Sequence, residues 1–181
     1  MTNQLRPLEE PYPNKIEKLL SKYPRIDGYL LTLFRTFANS VRFLEKGMPN
    51  LLDKESPLPL RIREIVILRT TANKNCEYEW GVHVAVFKKA AQLSEEQISA
   101  TRAKEVDVSQ WSEQEACLLS AVDQLCHAGF IQDDILQQFE KHWTCEQQLE
   151  IMSLCGAYHI VSFVANTARL KNEAFSATFP A

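Results

Sequence analysis

The sequence has no CxxC pair, no long apolar run, no low-complexity tract and only five glycines. None of those glycines builds a phosphate-cradling loop, a dinucleotide fingerprint or a nucleophile elbow, so nucleotide cofactors and a serine triad are not expected. The five cysteines, at 76, 117, 126, 145 and 155, are odd in number and unpaired in spacing. That pattern predicts free thiols packed in a core in a reducing compartment. His83, His127, His142 and His159 are dispersed, so no metal site is predicted. The net charge of −3 supplies no general polyanion-binding field, and neither nucleic acid nor a membrane is expected as a partner. The opening MTNQLRPLEEPYPNK lacks the basic-then-apolar pattern of a secretion signal, which predicts a cytoplasmic protein.

What is present is helical periodicity. A length of 181 residues predicts one domain, with residues 1–24 an amino-terminal arm and short helix. Pro7, Pro11 and Pro13 favour an extended arm over 1–12, and a short helix is predicted from about Asn14 to Lys22. Leu30, Leu33, Phe34, Phe37 and Val41 repeat at helical spacing and predict one helix over Tyr29 to Phe43. Ser94-Glu95-Glu96-Gln97, Ser112-Glu113-Gln114-Glu115 and Thr144-Cys145-Glu146-Gln147 read as capping boxes. The second box opens a helix that Gly129 stops. A short helix from Asp133 or Asp134 through Lys141 follows, and the last helix runs to about Leu170. No run of strand alternation interrupts these segments, so the fold class is all-α, built around a central helical hairpin.

That hairpin lies in Leu58 to Ala100, within a core motif region of 55–105. Leu60, Glu64, Ile67, Leu68 and Thr71 fall on one helical stripe, and Cys76, Glu79, Trp80, His83 and Phe87 on another. The polar link Asn73-Lys74-Asn75 predicts that the two helices fold back on each other, with the second ending near Gln92. Glu64 is a carboxylate among apolar neighbours, costly unless paired or protonated. It is either part of a proton-handling cluster with Glu79 and His83 or a structural acid paired with Arg61, Arg63 or Arg69. Cys76, near a helix amino terminus, is either a thiol of lowered pKa or a small buried hydrophobe. Tyr78 and Trp80 either line a pocket or fill the core.

The stretches LPLRIREIVILR, NCEYEWGVH and LSEEQI resemble the carboxymuconolactone decarboxylase family, which includes alkylhydroperoxidase D-like proteins. The peroxidase branch carries a glutamate, eleven residues, CxxC, three residues and a histidine. Here those positions hold Glu64, Cys76, Glu79 and His83, so the second cysteine is Glu79. The resemblance implies that this chain lacks the peroxidatic thiol and cannot close the usual disulfide. The decarboxylase branch keeps glutamates at the positions of Glu64 and Glu79 and histidine at His83. It implies a lyase-like enzyme in which His83, Glu64 and Glu79, with Cys76 beside them, carry acid/base chemistry on a small organic acid or lactone. Arg61, Arg63, Tyr78 and Trp80 are then expected to bind the substrate, with no cofactor. Two alternatives are an alkylhydroperoxidase D-like antioxidant using Cys76 with an external thiol, and a non-catalytic helical assembly protein. The resemblance also implies a homo-oligomer, a trimer or hexamer.

Overall fold

Pro57 and Pro59 hold the chain out of helix until Leu60, where the first long core helix begins with Pro59 at its N-cap (φ −56°). The computed structural model describes residues 4–180. Among these the order is α1 Asn14–Leu20, α2 Thr32–Phe37, α3 Val41–Lys46, α4 Leu60–Asn73, α5 Glu77–Phe87, α6 Glu95–Ala100, a 3-10 turn Val108–Gln110, α7 Glu113–Ala128, α8 Asp133–His142 and α9 Cys145–Thr167. The only strand-like feature among them is an isolated bridge between Ile26 and Tyr29. The fold is all-α. The first three residues of the expected amino-terminal arm lie outside the described residues; from Gln4 to Tyr12 the chain is non-helical.

α4 is the central element. It packs against α5, α7 and α9, and Ile62 and every residue from Glu64 to Ala72 are buried. A helix covered on all sides must be apolar on all sides, which leaves Glu64 and Arg69 as groups that need partners inside the protein. All three capping boxes form, with Ser94, Ser112 and Thr144 each accepting from the backbone N–H three residues on. Each contributes about 1 kcal/mol to its helix. Gly129 ends α7 at φ 79°, a left-handed conformation that costs glycine little. α9, at 23 residues, is long and apolar enough to cross a bilayer by length and composition, yet it lies along α4 with Ile151, Leu154, Cys155, Tyr158, Val161, Ser162 and Ala165 buried.

Several helices differ from the periodicity reading. The predicted Tyr29–Phe43 helix is two helices, broken at Ala38-Asn39-Ser40. Asn39 donates its side-chain amide to the Arg6 and Thr36 carbonyls, and Ser40 caps a new helix by accepting from Phe43 N–H. The break lets Phe43 fold onto Phe37, with ring centroids 4.9 Å apart. α5 stops at Phe87 rather than near Gln92, because Arg61 takes the Ala91 and Gln92 carbonyls and Gln92 turns at φ 54°. α1 ends at Leu20 and α9 at Thr167, each two or three residues early.

After α9 the carboxyl-terminal segment returns across α5. Glu77 accepts from Asn172 Nδ2 (2.9 Å) and Phe179 N–H (2.8 Å), and Ala177 N–H donates to the Gly81 carbonyl (3.1 Å). Gly81 is required there: a Cβ would run into the Ala177 carbonyl oxygen. Glu173, nearly buried, accepts from the Tyr78 and Tyr29 hydroxyls and from Thr32 N–H.

Candidate active site

The hairpin turn at Lys74 and Asn75, the latter at φ 51°, folds α5 back along α4 and sets Glu64 opposite His83. Glu64 Oε2 lies 2.8 Å from His83 Nδ1, with both side chains almost fully buried. One turn earlier on α5, Glu79 Oε1 stands 3.4 Å from His83 Nε2. α9 supplies a third partner, the Tyr158 hydroxyl, 2.9 Å from Nε2. Its ring stands edge-on to the imidazole, and Phe87 packs beside it, each with centroids at 5.2 Å. Three helices therefore hold one imidazole by both nitrogens.

Burial pulls the His83 pKa down, but the Glu64 carboxylate first, and Glu79 after it, outweigh that and push it up to about 10. At neutral pH the ring is charged, and Nδ1–H donates to Glu64. Tyr158 is pushed well above its ordinary value by burial and by the neighbouring Glu79 and Glu64 carboxylates, so it stays a neutral hydroxyl. Glu79 Oε2 is buried without a hydrogen-bond partner. Such an orphaned oxygen is expensive in a resting structure and marks a position that another polar atom can satisfy.

The remaining sequence-derived candidates divide. Cys76 is fully buried at the start of α5, next to Glu79 and to Ser162 of α9. Its expected lowered pKa is not found: burial pushes the thiol up to about 11, more than the Glu79 and Ser162 hydrogen bonds bring it down. Desolvation of a thiolate outweighs the end of an 11-residue helix. Arg63 donates to the Asp53 carbonyl at 2.9 Å and leaves Nε buried and unpartnered; its charge reaches Tyr158.

Arg61 is directed elsewhere. It bonds Glu115 at 2.6 Å, Gln97 and the Ala91 and Gln92 carbonyls, tying the end of α5 to α6 and α7. Tyr78 spends its hydroxyl on Glu173 and Leu33 N–H. Trp80, expected on the His83 stripe, faces Thr101 and Phe179 instead. Glu64 pairs with none of Arg61, Arg63 or Arg69 by hydrogen bond or ion pair among the described residues. No group of three or more metal-ligating side chains forms among them either.

Tyr158 is the residue that sequence reasoning missed as part of the cluster. The available signal was a phenol on the apolar face of α9, since a buried hydroxyl needs a partner.

The family model described as "Carboxymuconolactone decarboxylase family" matches residues 41–123, which contain Glu64, Cys76, Glu79 and His83. A putative antioxidant defence protein AhpD of unknown function from Agrobacterium tumefaciens is similar at 24% identity and TM-score 0.57, over 65% of this chain and 81% of that one. The debrominase Bmp8 is similar at TM-score 0.77 and 12% identity, over 96% and 94% of the two chains. A peroxidase-related protein from a Silicibacter species is similar at TM-score 0.77 and 17% identity, over 96% of each chain. No curated protein matches the chain in sequence. The family's segment thus spans the hairpin and its cluster, and the helices around it share the fold of an alkylhydroperoxidase AhpD core, similar at TM-score 0.73 and 15% identity over 96% of this chain and 95% of that one.

Proposed function

We propose that this chain is a carboxymuconolactone decarboxylase-like enzyme in which His83 delivers a proton to a small organic acid or lactone. The supporting observation is the imidazole held at 2.8 Å by Glu64 and at 2.9 Å by Tyr158, in a cluster enclosed from bulk water. Arg63, with its unpartnered Nε, holds the substrate carboxylate. When the bond to that carboxylate breaks, carbon dioxide leaves and the electron pair stays on carbon as an enolate. The Nε2 proton of His83 moves to that carbon, and a proton from water restores the imidazolium. Glu64 keeps Nδ1–H throughout and fixes the ring's orientation. The reaction uses no cofactor.

The thiol reading is weaker on physical grounds. A thiol pushed up to about 11 holds only about one part in ten thousand as thiolate at neutral pH.

Carboxymuconolactone and related lactone acids are the substrates to test, with carbon dioxide release as the readout. His83→Ala and Glu64→Gln are each expected to lose at least about 100-fold in kcat/KM while keeping the far-UV spectrum of the parent. Full activity in both variants would sink the assignment.

The enzyme is further proposed to act in the cytoplasm as a trimer or hexamer. Leu149, Met152, Ile160 and Phe163 form an exposed apolar stripe along α9, which suits burial against a second copy. Light scattering at micromolar concentration is expected to give a mass of three or six chains, and Phe163→Asp to lower it; a monomeric parent protein would overturn this.

A further inference from the structure

We infer that the cleft between the first turn of α5 and the end of α9 is the entrance to the buried cluster and binds small organic carboxylates there. This rests on the reading that Glu64, Glu79 and His83 form the reaction centre, and it adds a route and a recognition element to it.

The cleft measures about 460 Å³, within the range of small-molecule sites, and its walls include Asn75, Glu77, Tyr78, Ala165 and Arg169. Cys76 sits between two of those wall residues, and Ser162, its neighbour on α9, lies one helical turn before Ala165. Behind this wall the buried polar row therefore begins: Cys76 and Ser162, then Glu79 with its unpartnered oxygen, then His83 and Glu64.

The charge around the cleft favours an anion although the whole chain is negative. Arg169 is exposed and makes no ion pair among the described residues. Arg102 lies over the Phe179 ring at 4.3 Å and donates to Asn75 Oδ1 at 2.7 Å, and both of those residues line the cleft. Glu77, the one carboxylate in the wall, is already occupied on both oxygens by Phe179 N–H and the Asn172 amide. Those hydrogen bonds, with Arg102 nearby, hold Glu77 ionised below the usual carboxylate range, so Arg102 balances that acid and Arg169 is left as the one cation in the wall without an ion pair among the described residues. The second cleft, of about 640 Å³, is lined by Tyr29, Val86 and Phe175 with Asp27 and Glu173, and offers an anion no cation.

The test labels Cys76 of the full-length chain with iodoacetamide and reads peptide masses, with exposed Cys145 as the internal reference. Succinate serves as the carboxylate probe. In the folded protein, succinate at ten times its Kd is expected to slow Cys76 labelling about tenfold, while leaving Cys145 unchanged. Arg169→Glu is expected to weaken that protection at least about tenfold, and Arg169→Lys to retain most of it. The inference is overturned if Cys76 reacts only at the rate of global unfolding, if succinate gives no protection, or if protection survives Arg169→Glu. No turnover is read, so a missing decarboxylase activity and a missing carboxylate site give separable results.

Discussion

Arg69→Ala is expected to lower the stability of the fold by about 3 kcal/mol, the low end for removing one partner of a buried ion pair because Asp123 keeps some solvent contact. The guanidinium, 3% exposed on α4, holds Asp123 of α7 by two bonds of 2.6 and 2.7 Å. Its remaining nitrogen donates to the Thr101 and Ala103 carbonyls at 2.9 and 2.6 Å. Alanine removes all four bonds, leaves a carboxylate and two carbonyls short of donors, and opens a cavity beside the central helix. At this chain length the loss corresponds to a fall in Tm of about 6–12 °C. Urea denaturation at fixed protein concentration measures it. A loss below about 1 kcal/mol would mean that Asp123 and the carbonyls find water or other partners, and that α4 and α7 do not depend on this pair. The double variant Arg69→Met with Asp123→Leu should recover part of the loss, because both charges then leave together.

Stability should also fall as pH rises from about 6.5 toward 9, and the slope should belong to His83. The ring titrates at about 10 in the fold against 6.5 when free, so below pH 6.5 both states carry the proton and its stabilisation is complete. Above that value the unfolded chain releases a proton that the folded chain keeps, and stability drops by up to about 1.4 kcal/mol per pH unit. The groups facing the imidazole are Glu64 from α4, Glu79 from α5 and Tyr158 from α9, with Arg63 acting on Tyr158. Of these, Glu64 contributes the largest upward push. Glu64→Gln should therefore flatten most of the slope between pH 6.5 and 8.5, below the range where Cys76 and Cys155 ionise in the unfolded chain. An unchanged slope in that variant would show that His83 is not held charged by Glu64, and the proton donor of the proposed reaction would be lost with it.

Part of this protein is written in local sequence. Apolar spacing along 58–100 is enough to set two helices back to back, and the helical offset then brings Glu64 toward His83 once the chain turns at Lys74-Asn75. Ser94, Ser112, Thr144 and Gly129 mark helix ends through bonds to residues three or four positions away, so each can be read within its own window. The motif that carries the family resemblance lies in that same stretch.

Other features depend on groups far apart in the chain. Tyr158 meets His83 only because α9 lies along α4 and α5, 75 positions later. Arg61 could serve a substrate carboxylate by its position, but the folded chain commits it to Glu115 and the end of α5. Cys76 has the helix-terminal place of an activated thiol, and the packing of α9 over it turns that place into a desolvating one. The break at Ala38–Ser40 and the tail docked on Gly81 follow from contacts to Arg6 and Ala177. Periodicity and caps are short-range and survive in a linear reading; burial, ion-pair choice and the pKa values that follow are set by which surfaces exclude water, and that is decided only when the helices assemble.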